Sequence, residues 1–162
     1  MRVSDLLDAP AWLDSLDHVH AAEPALVEVV EALASADHSG IALQRARAMI
    51  DPVWRAAALA AVAPHMADSK SLVEHAIATM EPLPYVAHRQ TAVRKIAIAL
   101  AGVDAADAAR LLVRLIATLC QTLRLNFVAE LNTLAPAFAK AGGPEAVRGL
   151  VRAVRQSVRW WP

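Results

Sequence analysis

The sequence predicts an all-α protein in which about four antiparallel helix pairs stack as a right-handed α-solenoid, followed by a C-terminal capping helix. Thirty-seven of the 162 residues are alanine, which has the highest helix propensity and is a poor strand former. Aromatic residues make up only 4% of the chain and glycine occurs five times. An apolar pattern also recurs at the spacing that is typical of stacked helical pairs.

The recurring pattern is clearest in the segment 51–63, where Leu59, Val62 and Ala63 lie at helical spacing. Each such unit is too small to bury its apolar face alone, so neighbouring units must stack on one another. The equivalent residues further along the chain are Val93, Ile96 and Ala97, followed by Leu131, Leu134 and Ala135. A fainter and earlier copy has Leu26, Val29 and Val30. Successive copies are spaced by roughly 35 residues, as in arrays of helical hairpins.

Proline and capping residues mark where the helices begin. Asp51-Pro52 is the strongest start signal, because an acidic N-cap precedes a proline at the first helical position. Asp68 or Ser69 and Asp104 are the next caps, and Asp107 suits the positive end of the helix that Asp104 opens. The other predicted start signals are Pro10, Pro24, Ser39, Pro84 and the turn Gly142-Gly143-Pro144.

These signals predict a single domain over 1–162 with nine helices. Pro64 and Pro136 lie at matching positions late in two of them, where each proline should bend the helix. The helices should span about 10–20, 24–35, 41–49, 52–66, 69–80, 84–101, 104–121, 125–140 and 144–158. They pair as 10–35, 41–66, 69–101 and 104–140, and 144–158 is the capping helix.

The segment that begins at Asp51, with Arg55 and the alanines that follow, resembles a HEAT-type repeat, and tetratricopeptide-like arrays have similar spacing. The acidic turn, the arginine and the alanine-rich second helix are features of that family. Arg89 occupies the arginine position in the next copy, whereas the third copy has Phe127 there. The resemblance implies a curved stack of helix pairs that binds another macromolecule. It also allows a second possibility, because the family includes DNA glycosylases for alkylated bases.

One face of the repeated helices carries polar residues that could line the inner curve of such a stack. These residues form a binding surface if the face is open, whereas alanines between them would mark close helix contacts if it is closed. We call this set the predicted polar row: Trp54, His65, His88, Lys95, Asn126, Glu130 and Thr133.

The last helix carries a stripe of arginines, which could bind an acidic partner or phosphates. Tryptophan side chains beside them are favoured anchors at interfaces. The alternative is the polar outer face that an end-capping helix needs for solubility. The stripe comprises Arg148, Arg152, Arg155 and Arg159, and Trp160 and Trp161 follow it.

Other features bound the class of protein. The net charge is zero, but residues 1–50 hold three basic and eight acidic groups, whereas 101–162 hold eight and four. This asymmetry makes head-to-tail self-association one candidate interaction. The lone Cys120, the lack of an apolar leader and the lack of a long apolar run favour a cytoplasmic protein without a membrane partner.

No catalytic constellation or cofactor motif is evident, and His18 and His20 do not share a helix face, so no metal site is predicted. The primary hypothesis is a non-catalytic scaffold that binds a protein or peptide through its concave face, its basic C-terminal helix, or both. The alternative is a HEAT-like DNA glycosylase or another nucleic-acid-binding protein, which would need a basic groove.

Overall fold

The computed structural model describes residues 19–81, 88–119 and 131–160, without the side chains of 19–21, 153–154 and 156–160. All regular secondary structure in these ranges is helical, as the composition predicts. The α-helices are α1 (Val19–Ser35), α2 (Ser39–Ala48), α3 (Pro52–Val62), α4 (Ser69–Met80), α5 (Arg89–Gly102), α6 (Ala105–Leu119) and α7 (Ala135–Trp160), and a 3-10 turn (Ala63–His65) follows α3.

The helices pack in a regular order. The odd-numbered helices α1, α3, α5 and α7 contact one another in succession, and each even-numbered helix packs against the helix before it and the helix after it. Helix α4 also packs against α6. Helix α3 therefore lies in the middle of the described helices, in contact with α1, α2, α4 and α5.

The core contains the recurring apolar residues of the sequence. Leu59, Val62 and Ala63 are fully buried on α3. Their equivalents are buried as well, except that Leu26, Val29 and Ala135 are half-buried. Every residue from 53 to 63 other than Arg55 is buried, as expected of a helix that is apolar on all sides.

Three predicted caps form as the sequence indicates. The Asp51 carboxylate accepts hydrogen bonds from the backbone N–H groups of Val53 at 2.7 Å and Trp54 at 3.4 Å. Asp68 accepts one from Ser71 at 3.3 Å. Asp104 accepts two at the start of α6, both at 3.1 Å. Each cap satisfies donors that the helix itself leaves without partners.

Two predicted helix starts are wrong, because the local preferences of proline and serine do not decide where these helices begin. Helix α1 begins at Val19 and runs through Pro24. The fixed φ of proline is itself helical, and near the helix start its missing N–H removes at most one bond. Ser39 does not cap α2; it is the first helical residue, and its hydroxyl donates to the His65 carbonyl at 3.2 Å.

The helix predicted over 84–101 is not continuous, because it is interrupted at His88 and α5 begins at Arg89. His88 has a φ of 70°, which no right-handed helix can pass through. Residues 84–87 lie outside the described residues.

Proline and glycine interrupt two helical segments. The sequence predicts a helix over 52–66 that bends at Pro64, whereas α3 ends at Val62 and a 3-10 turn contains Pro64. Pro136, also predicted to bend a helix late in its length, is instead the second residue of α7. In α7, non-helical dihedral angles at Gly142 and Gly143 separate the residues up to 141 from a second segment. The positive φ of Gly143, 65°, is a conformation that favours glycine. We call residues 144–160 the C-terminal segment.

Candidate functional site

Lys95, in the middle of the predicted polar row, forms ion pairs with another helix. The Lys95 ammonium on α5 forms ion pairs with Glu31 and, at 3.4 Å, with Glu28, both on α1. Helix α3 packs between α1 and α5. The repeat offsets make Glu28, Ala61 and Lys95 equivalent positions of three successive helices. The small side chain of Ala61 leaves room for Lys95 to reach across α3, so this stretch is a packed bridge between helices.

A second contact joins two other residues of the predicted polar row. The indole of Trp54 stacks on the imidazole of His88, with ring centroids 5.3 Å apart and an angle of 29° between the planes. These two residues also occupy equivalent positions of successive repeats, Trp54 at the start of α3 and His88 just before α5. Trp54 is buried, whereas His88 is exposed. The pair thus covers the indole and leaves the imidazole accessible.

Trp54 and Lys95 are both buried, which is the arrangement expected if this face of the helices is closed. The physical reason is that α3 has neighbours on all sides, so its alanines mark close helix contacts. His65 and His88 are exposed, and Thr133 is half-buried. Asn126, Glu130 and Phe127 lie outside the described residues.

Two buried charged side chains hold helix ends together, and neither was predicted as a site. The Glu23 carboxylate on α1 accepts hydrogen bonds from the backbone N–H groups of Ile50 at 2.9 Å and Asp51 at 3.0 Å, just before α3. The Arg89 guanidinium donates to the Thr118 carbonyl at 2.9 Å, in the last turn of α6. A cation at that end of a helix suits its dipole.

Arg89 aligns with Arg55 in the sequence, so the contacts of the two arginines can be compared. Arg55 donates to the Met49 carbonyl at the end of α2, at 3.4 Å. Both arginines thus bond to a carbonyl near the end of an even-numbered helix, but α2 precedes the helix of Arg55, whereas α6 follows the helix of Arg89. The sequence signal for Glu23 is weak, because a lone glutamate beside a proline usually marks a helix start.

Ion pairs link α4 and α6 along their outer sides. Lys70 pairs with Asp107 at 2.8 Å, and Arg110 bonds to Glu74 at 2.9 Å and to Asp107 at 3.1 Å. These contacts, that of Lys70 above all, lower the pKa of Asp107 below its ordinary value.

At the far end of the same two helices, Arg114 binds both carboxylate oxygens of Glu81, at 2.5 and 3.0 Å. That pair lowers the pKa of Glu81 and raises the pKa of Arg114, chiefly through the hydrogen bonds. The α4–α6 surface is therefore neutralised by its own pairs.

The C-terminal segment differs from the α4–α6 surface in its balance of charge. Arg148, Arg152 and Arg155 are exposed, and Arg148 pairs with Glu145 one turn earlier. Leu150 is half-buried and packs against the core. The segment therefore lies against the protein on one side and presents arginines on another. Arg159 and Trp160 continue the helix, but their side chains and Trp161 lie outside the described residues.

Two kinds of site are missing from the described ranges. No group of three or more His, Cys, Asp or Glu side chains there is arranged to hold a metal ion. Among those residues, no helix has the length and apolar character needed to cross a membrane. His18 and Cys120 fall outside these ranges, as does the side chain of His20.

Comparison of the chain with protein-family models, with curated proteins and with solved structures gave no match. The resemblance to HEAT-type repeats therefore depends on the residues of this chain alone.

Proposed function

We propose that this chain is a non-catalytic interaction module that binds an acidic segment of another protein through the C-terminal segment. The observation that carries the proposal is the exposure of Arg148, Arg152 and Arg155 on one helical face. At helical spacing of four and three residues, these side chains form one row. Arginine is well suited to such a role, because its planar guanidinium binds carboxylates in a bidentate manner.

The charge balance supports the same surface. The C-terminal segment has four arginines, and Glu145 is its only acidic residue. By contrast, the arginines of α6 find carboxylates on α4, and Lys95 finds two on α1. The basic charge of the C-terminal segment therefore exceeds what its own acidic residue can neutralise, and an acidic partner would supply the missing carboxylates.

The scaffold that we propose for this surface is a right-handed α-solenoid of about four helix pairs. The order of contacts supports it, because odd-numbered helices follow one another and even-numbered helices bridge them. In such a stack each unit contacts mainly its neighbours, and the last unit has one face without a neighbour. The C-terminal segment would be that last unit, with Leu150 toward the stack.

A concave groove across α3 is a weaker candidate. Trp54, Ala58 and Ala61 are buried there, and Lys95 is paired with carboxylates of α1. An occupant would first have to displace Lys95. Of the two surfaces in the primary hypothesis, the basic segment is therefore the one that we propose.

The test compares two variants of the full chain that lose equal charge. One carries Arg148→Gln, Arg152→Gln and Arg155→Gln. The control carries Arg45→Gln, Arg47→Gln and Arg94→Gln, which are exposed arginines of α2 and α5. Fluorescence anisotropy then measures binding of a labelled peptide rich in Asp and Glu at low salt, after circular dichroism has shown that both variants fold.

We expect the wild type and the control to bind the peptide, and the C-terminal variant to bind about 3- to 160-fold more weakly, since three exposed ion pairs contribute about 0.2–1 kcal/mol each. Equal loss in both variants, or no binding by the wild type, would refute the proposal. Duplex DNA is the competing ligand. Tighter binding of DNA, with a logarithmic salt slope near −0.9 per neutralised phosphate, would favour nucleic acid instead.

A further inference from the structure

We infer that the partner of the C-terminal segment is an amphipathic helix that presents acidic side chains to the arginines and an apolar seam to Val147 and Val151 beside them. This inference depends on the proposed function and specifies the structure of the partner. It follows from the position of Val151, which is 45% exposed beside the arginines.

A strip of apolar residues, which we call the apolar lane, runs along the helix beside the arginine row. At 100° per residue, Pro144 and Val151 lie two turns apart on nearly the same line, and Val147 lies between them. Pro144 is exposed and Val147 is half-buried. In the sequence, valines recur at the same spacing of three and four residues at positions 154 and 158.

This spacing of three and four residues is the heptad pattern of a helix that packs against another helix. Positions 144, 147, 151, 154 and 158 correspond to alternating a and d sites, and 148 and 155 are flanking e sites. In coiled coils the flanking charges set the choice of partner, while the apolar a and d residues fill the seam. Arginines at the flank therefore select a partner whose facing residues are acidic.

An extended peptide fits this surface less well. The C-terminal segment is a helix, whose backbone hydrogen-bonding groups are used internally, so it offers no edge to which a strand could add. A helical partner satisfies its own backbone and needs only side-chain contacts. Its side chains also advance along the axis by the same rise per residue as the arginine row, so that charges spaced four and three residues apart meet.

A second C-terminal segment is a poorer occupant. Two C-terminal segments packed along the same lane would bring arginine-rich flanks toward each other in at least one orientation, and Glu145 is the one acidic residue of each segment. Charge complementarity thus favours an acidic helix over a second C-terminal segment.

The test uses two synthetic peptides of identical composition. The heptad peptide has Leu or Val at a and d and Glu at the flanking positions. The scrambled peptide has the same residues without that periodicity. Both are titrated against the full chain and against Val151→Ser. The control variant is Val113→Ser on α6, where the valine is 68% exposed and lies away from the lane.

We expect the heptad peptide to bind the wild type at least 10-fold more tightly than the scrambled peptide does. Val151→Ser should weaken the heptad peptide about 5-fold, because the valine surface that the peptide would bury is lost. The scrambled peptide should not respond to Val151→Ser, and Val113→Ser should change neither affinity.

Three other results would overturn the inference. Equal binding of both peptides, without an effect of Val151→Ser, would leave an acidic partner but reject a helical seam. No binding of either peptide would reject the proposed function as well. Sedimentation showing a wild-type dimer that Val151→Ser dissociates would identify a second copy as the occupant.

Discussion

The bridge from Lys95 to α1 gives a prediction about stability that depends on which partner is removed. Replacing Lys95 with Met should change the free energy of unfolding little. Replacing both Glu28 and Glu31 with Gln should destabilise the protein strongly. The two changes break the same ion pairs, so a simple count of contacts would make them equal.

The difference follows from unequal burial of the two sides. The Lys95 side chain is only 7% exposed, whereas Glu28 and Glu31 are 65% and 38% exposed. Without Lys95, both carboxylates can be solvated by water, and a Met side chain keeps the volume of the lysine stem. Without the carboxylates, an ammonium remains buried and unpaired. Leaving a buried charge without its partner costs about 3–5 kcal/mol, whereas an apolar replacement of the pair is often neutral or stabilising.

Urea unfolding at pH 7, followed by circular dichroism, measures both variants and the triple variant that combines them. We expect Lys95→Met within about 1 kcal/mol of the wild type and the double Gln variant about 3 kcal/mol or more below it. Adding Lys95→Met to the double Gln variant should restore most of the loss, since the buried charge is then gone. A loss from Lys95→Met as large as that from the double Gln variant would refute the reasoning.

Three further predictions concern local contacts. Asp51→Ala should cost about 1 kcal/mol in urea unfolding, because two N–H groups of α3 lose their acceptor; an unchanged midpoint would contradict the cap. The ion pairs lower the folded-state pKa values of Glu81 and Asp107. The stability that these pairs contribute is therefore present above the ordinary pKa values of 4.5 and 3.8, and it is lost as the pH falls below those values. Arg114→Gln should therefore destabilise the protein at pH 6 and much less at pH 3, and an equal effect at both would count against the pair. At position 88, Ala should be about 1 kcal/mol less stable than Gly, because only Gly adopts a φ of 70° without strain; equal stability of His88→Ala and His88→Gly would show that no strain is present.

The sequence predicted much of the fold because helix formation in this chain has local causes. Alanine content and the repeated apolar triplets identify helices, and Asp51, Asp68 and Asp104 cap them as expected. The errors came where two local signals compete. Pro24 can lie either at the start of a helix or in its interior near the start. Only the long-range contact of Glu23 with the backbone of Ile50 distinguishes these two placements.

The candidate site was harder to predict because exposure depends on neighbours. Helical spacing correctly placed Trp54 and Lys95 on one face of their helices, but it cannot show that another helix covers that face. The pairing of Lys95 with Glu28 joins residues that lie two repeats apart along the chain. The exposure of Arg148, Arg152 and Arg155 could be anticipated, since a segment with four arginines and one glutamate has few partners to offer them close in sequence.

The neighbours of a helix determine what its charged residues are able to do. Helix α3 is contacted on all sides, and small alanines there let neighbouring helices approach and let Lys95 pass to α1. Helices α4 and α6 have outer sides, but their charges neutralise one another. In the C-terminal segment Leu150 packs against the core, while the arginines outnumber the acidic residues by four to one. Excess charge on an exposed helix face costs little in water and becomes useful only when an acidic surface meets it, so the recognition that we propose should depend on the C-terminal segment.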